Sequence, residues 1–298
     1  MITTSSLSYA VDEVVSMVAF ETFYEETFYM PFLYDVRTSS KRRERGASFG
    51  GLGEYEVKGE TAEPSEDEIA QQYEKDFVHV EYAKQVPMSR TIVDDEDWGV
   101  LADLGQQLGY MAGYTMEKLA AALFNDAFSG ATYKAEDAKS ICNDAHTNVD
   151  GGNSQDNSGT NTFGLSGLET TRLAMRGFKN YRGDMAPARP SLVLVPKDLE
   201  ITGFELLKSV GKPDTANNNL NFYNGMMDLM VWDFLTDTNA WFVIDPRRMK
   251  QNLIWFQRIA LEIFGDGNMF TGTKKIGGYF RASHGCKHWA WLYGNNPS

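Results

Sequence analysis

Two imidazoles and a thiol lie close together near the end of the chain, at His284, Cys286 and His288. Histidine nitrogen and cysteine sulfur are ligands that zinc prefers in proteins, and Cys142 or His146 could complete a set of four. On a β-strand the first three side chains would point to one face, which fits a zinc site and equally fits a packed pocket. A zinc-dependent enzyme is therefore one alternative that the sequence offers.

Common signatures of nucleotide and redox chemistry do not occur in the sequence. It contains no Gly-x-x-x-x-Gly-Lys phosphate loop and no Cys-x-x-Cys pair. Gly50, Gly51 and Gly53 do not have the spacing of a dinucleotide-binding fingerprint. We predict no catalytic residue, no metal, no cofactor and no enzymatic activity.

Charged residues concentrate between residues 41 and 68. So many carboxylates in one stretch are typical of a solvated or interface surface, and they do not single out a specific pair for acid–base catalysis. The basic positions could contact packaged nucleic acid, an acidic neighbour or only solvent. Together they give the candidates for contacts between subunits, which are Glu54, Glu56, Glu66, Asp67 and Glu68 on the acidic side and Lys41, Arg42, Arg43 and Arg45 on the basic side.

The overall composition is that of a soluble globular protein with an acidic exterior. The chain has 298 residues, a net charge of −13 and 42% hydrophobic residues, which argues against a dedicated nucleic-acid binder. Its two cysteines are too few for a disulfide framework. The sequence begins without a signal-peptide pattern, and charges interrupt every apolar stretch before it reaches a membrane-spanning length. We therefore expect no membrane partner and synthesis in the cytoplasm.

The first third of the chain contains segments that it could not bury alone. Apolar residues at three- and four-residue steps predict an amphipathic helix over residues 8–30, within an N-terminal arm of residues 1–44. Residues 45–76 combine glycines with acidic residues and predict an extended, protruding hairpin, with a disordered insert as the alternative. Alternating residues from position 77 onward predict a returning strand.

A long helix is predicted over residues 94–128, with Leu101, Leu104 and Leu108 in its apolar stripe. Gly105, Gly109 and Gly113 recur at every fourth residue of this helix. Each glycine costs about 1 kcal/mol relative to alanine in a helix interior, so the spacing favours a segment packed closely along one ridge. The alternative is a plain buried helix with incidental glycines.

The remaining pattern predicts an α+β fold with two domains. Ser166 and Glu169 form a capping-box pattern before a helix, and residues 191–195 predict a buried strand. Further predicted strands are 226–235 and 240–244 around a turn, and the longer pair 253–264 and 274–283. The long helix must bury its stripe on a sheet, which assigns residues 77–149 and 246–285 to one elongated domain, residues 150–245 to an inserted α/β domain, and residues 286–298 to a C-terminal tail.

Several stretches resemble the major capsid proteins of tailed bacteriophages with the HK97-type fold, especially the Mu-like major head subunits. The matching stretches are LAAALFNDAF at 119–128, PSLVLVP at 190–196, LLKS at 206–209, PDTANNN at 213–219, TDTNAWF at 236–242 and WLYG at 291–294. Before the final tyrosine, relatives commonly show a Gly-Trp-Ser-Asp-like stretch, whereas this chain has HWAW at 288–291. The resemblance implies an N-terminal arm, an extended loop, a peripheral domain with a spine helix, and an axial domain.

The resemblance also implies a function. Such subunits form hexamers and pentamers that tile an icosahedral shell around double-stranded DNA, and the loop of one subunit lies across its neighbour. Scaffold, portal and decoration proteins are the implied partners, and the virion is the implied location. An encapsulin-like compartment shell, which shares the fold, is the alternative within this architecture.

Overall fold

The structure is a computed structural model that describes residues 4–25, 28–61, 63–64, 66–67, 71–89, 98–147, 154–211, 219–268 and 273–297. The described helices are α1 (Thr4–Glu25), α2 (Met30–Leu33), α3 (Trp98–Asn125), α4 (Leu165–Arg176), α5 (Glu200–Lys208) and α6 (Pro246–Asn252). The described strands are β1 (Asp35–Thr38), β2 (Arg43–Phe49), β3 (Gln71–Val78), β4 (Val80–Ser89), β5 (Ser158–Gly159), β6 (Leu192–Val195), β7 (Asp228–Val231), β8 (Trp241–Ile244), β9 (Leu253–Asn268), β10 (Thr273–Cys286) and β11 (Leu292–Asn295).

The larger sheet is built around the long antiparallel pair β9 and β10. Its strand order is β1-β9-β10-β4, so β1 and β4 are the edge strands. β1 runs parallel to β9, and β4 runs antiparallel to β10 from Val80 to Ser89. The predicted pairing of segments 253–264 and 274–283 is confirmed, and the two strands are longer than predicted.

The long helix α3 packs against both the larger sheet and the N-terminal helix α1, and α1 also contacts the sheet through Asp12, whose carboxylate lies 2.8 Å from Lys274 Nζ of β10. Val15 and Ala19 of α1 share a buried cluster with Leu101 and Leu108 of α3 and with Ile276 of β10. The helix was predicted over residues 94–128, but residues 94–97 lie outside the described part and the helix ends at Asn125. It stops there because the Asp126 carboxylate accepts hydrogen bonds from three backbone N–H groups of the following turn, those of residues 131–133.

The second sheet contains five short strands in the order β5-β11-β8-β6-β7. Segments 226–235 and 240–244 are predicted as strands on either side of a turn, and the structure has the strands β7 and β8 there, which do not pair with each other. β6 lies between them and pairs with β7 in parallel and with β8 in antiparallel. All four residues of β6 and all four of β8 are buried, because helices α4 and α5 cover one face and the α3 core covers the other.

One local prediction in this region is wrong. Ser166 and Glu169 do not form a capping box, because α4 already begins at Leu165 and Gly164 is its N-cap without a side-chain hydrogen bond. The segment predicted as a C-terminal tail contains β11, which pairs with β8 and β5 inside the five-stranded sheet. Trp291 and Leu292 are fully buried there. None of the described helices combines the length and apolarity needed to cross a membrane.

Candidate assembly interface

The predicted protruding segment is a β-hairpin with a long irregular end. β2 and β3 pair antiparallel from Arg43 opposite Val78 to Phe49 opposite Gln71, with an irregularity between Ala47 and Phe49. At its base Phe77 is buried, with its ring 5.3 Å from the ring of Phe256 on β9. Residues 50–59 form neither helix, strand, turn nor bend. The hairpin, with residues 50–67 at its end, is called the loop below.

A buried carboxylate, Glu136, joins the loop to the rest of the chain. Its oxygens accept hydrogen bonds from Ser48 Oγ of β2 and from Tyr181 OH, and its Oε1 lies 2.6 Å from His288 Nδ1. Burial would raise the pKa of Glu136, but the bonds from His288, Ser48 and Tyr181 outweigh burial and lower it. Three segments far apart in the sequence therefore meet at one charged group.

Ser48 also lies in a Gly-x-Ser-x-Gly sequence at residues 46–50, the spacing of a nucleophile elbow. That motif requires a sharp strand-to-helix turn, whereas Ser48 lies within β2. Its hydroxyl donates to Glu136 rather than to His288. The arrangement lacks the serine–imidazole bond that activates a nucleophile, so the motif has a structural role here.

Arg182 and Asp67 hold together the two chain segments of the loop end near Gly51 and Gly53, and these contacts are called the neck below. Arg182 Nη1 donates to both Asp67 oxygens at 2.7 and 2.8 Å and to the Gly51 carbonyl at 3.2 Å. The Gly53 N–H donates to Asp67 Oδ2 at 2.5 Å. Arg182 itself sits in a turn that Asn180 stabilises by accepting from the N–H of Arg182. The two legs of the loop end are thus tied to each other and to the turn around Arg182.

Beyond this neck the loop end touches little of its own chain. The side chains of Tyr55 and Val57 are both 103% exposed, which corresponds to complete solvent access. Glu54 and Glu56 alternate with them and are also exposed. Among the other acidic candidates, Glu66 is exposed and Asp67 is held at the neck, whereas Glu68 lies outside the described residues.

Three of the four basic candidates pair with acidic residues of their own chain. Lys41 Nζ lies 3.3 Å from Glu44, Arg43 contacts Asp76 at 3.4 Å, and Arg45 contacts Asp76 at 2.9 Å. The hydrogen bond from Arg45 lowers the pKa of Asp76. The pairs of Arg43 and Arg45 with Asp76 cross the ladder between β2 and β3, whereas the Lys41–Glu44 pair joins residues three positions apart on the β2 side. All three pairs are solvent-exposed, so each stabilises the hairpin only weakly. Arg42 is exposed beside them.

The spine glycines face the N-terminal helix. A methyl group added at Gly105 would lie 2.9 Å from the Val15 carbonyl, and one at Gly109 would lie 2.1 Å from the Ala19 carbonyl. At Gly113 the added group would lie 2.0 Å from the ring of Phe28. The backbone of α1 therefore approaches α3 more closely than side chains on this ridge would permit.

A second buried carboxylate fixes the end of the N-terminal arm. Glu117 of α3 accepts hydrogen bonds from the backbone N–H groups of Tyr29 and Met30, at the start of α2. Burial raises the pKa of Glu117. The α2 helix is tied down again by Lys250, whose Nζ donates to the carbonyls of Pro31 and Tyr34 at 2.9 and 2.6 Å.

The zinc-binding hypothesis for His284, Cys286 and His288 is not supported by their geometry. The strand β10 ends at Cys286, so His288 does not continue the same strand face. His284 stacks on Trp255 at 5.0 Å, and Cys286 Sγ donates to the His288 carbonyl and accepts from Trp291 Nε1. Burial raises the pKa of Cys286 to about 12 and lowers that of His284 to about 4.

The two further candidate ligands are also engaged elsewhere. Cys142 is buried, and its Sγ packs so closely against Gly294 that a side chain at that position would collide with it. Burial raises the pKa of the Cys142 thiol. His146 Nδ1 lies 2.7 Å from Asp137, and the ring stacks on Trp289 at 4.5 Å. Within the described ranges, no three His, Cys, Asp or Glu side chains form a group that could hold a metal ion.

Comparison with known proteins gives the family. A sequence profile described as phage capsid protein matches residues 72–294, about three quarters of the chain. The chain belongs to the phage capsid protein family. No curated protein sequence matches the chain.

Solved structures share its fold at low sequence identity. The capsid structure of the cyanophage P-SCSP1u is 12% identical with a TM-score of 0.58 and covers 92% of this chain and 89% of its own. The procapsid of bacteriophage JBD30 is 14% identical with a TM-score of 0.56, and the match covers 100% of this chain and 77% of the JBD30 chain. A chain of Microbacterium phage Oxtober96 is 10% identical with a TM-score of 0.54 and covers 92% of both chains.

These findings confirm the α+β, HK97-like capsid fold and the function of a major capsid protein, which is a structural protein of the phage particle. The Mu-like subgroup stays a prediction. The charged candidate residues and the glycine ridge could be identified from their composition and spacing. Glu136, Glu117 and Arg182 could not, because each contacts residues at least 45 positions away and no local pattern marks such a carboxylate or guanidinium.

Proposed function

We propose that copies of this capsid protein assemble as hexamers and pentamers into an icosahedral shell around double-stranded DNA. The observation that carries this proposal is the loop, which projects from the body and ends in apolar side chains that its own chain does not cover. Burying exposed apolar surface is the main driving force of protein association. A shell subunit is surrounded by copies of itself, so those copies are the natural partners of the loop.

We propose that the structural parts of the subunit correspond to the predicted domains. Residues 1–44 form the N-terminal arm, residues 45–76 the loop, residues 77–149 and 246–285 the peripheral domain, and residues 150–245 the axial domain. Because β11 completes the five-stranded sheet, we add residues 286–298 to the axial domain. The close approach of α1 to Gly105 and Gly109, and of the Phe28 ring to Gly113, supports a spine helix that carries the arm.

The charged candidates are proposed to set the register between subunits more than the strength of their association. The acidic candidates are Glu54, Glu56, Glu66, Asp67 and Glu68, and the basic ones are Lys41, Arg42, Arg43 and Arg45. Since most of the basic residues already pair within the hairpin, a neighbour competes with those exposed pairs, which are weak. The DNA partner is bound without sequence specificity, in keeping with a chain of net charge −13.

Further parts of the proposal concern location and partners. The protein resides in the virion after synthesis in the host bacterial cytoplasm, and it has no membrane partner, no enzymatic activity and no cofactor. Scaffold, portal and decoration proteins are the proposed additional partners. The match to a phage capsid family favours this function over an encapsulin-like compartment.

Expression of the chain with and without the phage scaffold and portal, followed by negative-stain electron microscopy, tests the proposal. We expect capsomers or closed shells in at least one of these settings. A monodisperse monomer in both settings would contradict it. Reversing the charges of Glu66 and Glu68 together, with Asp67 left in place to keep its bonds to Arg182, should impair assembly while the subunit stays folded, which circular dichroism would verify.

A further inference from the structure

Both legs of the loop leave the larger sheet at the same place. The first leg passes from β1 through residues 39–42 to β2, and the second passes from β3 to β4 with His79 as the single residue between the two strands. This place is packed, because Phe77 and His79 are buried and both rings contact Phe256 of β9. His79 and residues 39–42 are together called the joint below.

A chain of hydrogen bonds crosses the joint from the loop to the larger sheet. Ser39 Oγ donates to Glu44 Oε1 at 2.8 Å and lies 3.2 Å from His79 Nε2. Since the hydroxyl hydrogen of Ser39 goes to Glu44, the hydrogen between Ser39 and His79 belongs to Nε2. The other ring nitrogen, Nδ1, lies 2.9 Å from Ser283 Oγ of β10 and accepts from that hydroxyl. A neutral imidazole therefore joins the first leg to the larger sheet.

The surroundings of His79 favour this neutral ring. Burial is the largest cause that lowers the pKa of His79 from 6.5, and the nearby charges of Arg281 on β10 and Arg258 on β9 lower it further. The Glu44 carboxylate opposes them only in part. The other charged groups on the elements around the joint are paired, Lys41 with Glu44, Glu81 with Arg281 and Arg37 with Asp35.

A second proton on the ring is incompatible with the bonds of the joint. The charged imidazole has two donors and no acceptor, so the Ser283 hydroxyl would lose the nitrogen to which it donates. We propose that His79 is a pH-sensitive latch, which fastens the first leg of the loop to the larger sheet while its ring is neutral and releases that leg in mild acid. The latch operates within one subunit, so it does not depend on assembly.

The direction of the pH dependence follows from the two states of the joint. In the closed joint the pKa of His79 lies below 6.5, whereas in the released joint the ring lies in water and has its ordinary pKa of 6.5. Above that pH the ring is neutral in both states, and the latch has its full strength. As the pH falls further, the ratio of released to closed joints rises by about ten-fold per pH unit until the closed-state pKa is reached.

The contact of the loop with Glu136 responds to acid in the opposite direction. His288 lies 2.6 Å from the Glu136 carboxylate, and a carboxylate stabilises a charged imidazole. The pKa of Glu136 is lowered, because the bonds from His288, Ser48 and Tyr181 outweigh burial. This carboxylate therefore keeps its charge in mild acid and keeps β2 attached to the body through Ser48, so the release is confined to the joint.

Distance measurements between two spin labels on the unassembled full chain test the proposal. The labels are attached to Arg42→Cys in the first leg and Gln107→Cys on α3, because both positions are exposed. The two native cysteines are buried and do not compete for the label. We expect a narrow distance distribution at about pH 7.5 and a broader or shifted one at about pH 5. The same distribution at both pH values would overturn the proposal.

Two variants separate protonation of His79 from other effects of acid. In His79→Gln the side chain offers a donor and an acceptor but takes up no proton, so the distribution should stay narrow at both pH values. Arg281→Gln keeps His79 and removes one cation beside it, so the midpoint of the release should rise by about 0.5–1 pH unit. A normal release in His79→Gln, or a midpoint that does not rise in Arg281→Gln, would contradict the latch.

The same label at Gln107→Cys and Leu173→Cys provides the matched control. Leu173 is 53% exposed and lies on α4, away from the joint, so this distance should not change with pH. A change as large as that of the first pair would show that acid loosens the whole subunit, and it would overturn the latch. Failure of the chain to form shells would contradict the proposed function, but it would not affect these distances.

Discussion

At the scale of single residues, Glu136 connects three segments through one carboxylate. Its side chain is 2% exposed and receives bonds from the loop, from the turn around Tyr181 and from His288. A buried charge of this kind is costly unless it is fully hydrogen-bonded, and removing the charge leaves its donors without their partner. Glu136 therefore holds the base of the loop to the body.

We predict that Glu136→Gln lowers the free energy of unfolding at pH 7 by about 2–3 kcal/mol. The folded-state pKa of Glu136 lies below its ordinary value of 4.5. Its stabilising contribution is therefore complete above that ordinary pKa and is lost as the pH falls through the lower, folded-state pKa. Urea unfolding at pH 7 and at about pH 3 measures this, and the difference between the two proteins should shrink at the acidic pH. A constant difference would contradict the prediction.

His284 makes the stability of the protein depend on pH for a different reason, which is burial rather than hydrogen bonding. Burial between Trp255 and Tyr133 lowers its pKa from 6.5 to about 4, so the folded state keeps the ring neutral. The unfolded chain binds a proton below its pKa of 6.5, and folding loses stability as the pH falls from there to about 4.

We predict that this single group accounts for a loss of about 3 kcal/mol across that pH range. In His284→Phe the loss should be absent, because the ring cannot take up a proton in either state. Urea unfolding in steps between pH 7 and pH 4.5 compares the two slopes. Equal slopes in both proteins would show that His284 does not titrate in this way.

At the scale of elements, the contact between α1 and α3 depends on the absence of side chains on one ridge. We predict that Gly109→Ala destabilises the protein by about 1–2 kcal/mol. The overpacking cost lies at the upper end of its usual range of about 1–3 kcal/mol, because the clashing group is the backbone carbonyl of Ala19 and cannot swing aside. It therefore exceeds the gain of about 1 kcal/mol in helix propensity. Thermal unfolding measures the loss, and limited proteolysis should show faster cleavage within residues 4–25.

Gln107→Ala is the matched control for this variant. Gln107 lies on the same helix and is exposed, so alanine there should change stability by no more than about 0.5 kcal/mol. If Gly109→Ala were as stable as this control and its α1 segment were cleaved no faster, the close approach of the two helices would not limit the side chain at position 109.

The sequence predicted those elements whose signal is local. The apolar stripe of α3 and the long alternating strands β9 and β10 were predicted because many consecutive residues repeat one period. The turn between β7 and β8 did not reveal that β6, some thirty residues earlier, lies between them in the sheet. Likewise β11 joins the five-stranded sheet by a choice among distant partners, and periodicity contains no information on that choice.

In the candidate interface, too, features with a local sequence signal could be predicted, whereas contacts between distant residues could not. Residues 45–76, which include Tyr55 and Val57, were predicted from their composition as a protruding hairpin, with a disordered insert as the alternative. Ser166 matched a capping-box spacing, but Gly164 ended the preceding segment in extended backbone and α4 began before Ser166. The bonds that hold the loop, from Arg182 to Asp67 and from Ser48 to Glu136, link residues 115 and 88 positions apart, and only the fold brings them together.

At the scale of the whole molecule, the chain combines a well-packed body with parts that it leaves uncovered. Trp232, Trp241, Trp255 and Trp291 are fully buried, so the body has a packed core of its own. Within the described ranges, the Tyr55 and Val57 side chains at the loop end are fully exposed and no strand pairs with the outer edge of β4. This combination is what a subunit requires if it must fold first and then bind many copies of itself.

The most direct measurement of this account is a cryo-electron microscopy reconstruction of the particles formed by the purified chain with its scaffold and portal. We predict an icosahedral shell in which this fold repeats in rings of six and five, with each loop lying across a neighbouring copy. Only single subunits, or a shell in which every loop stays over its own body, would contradict the central claim.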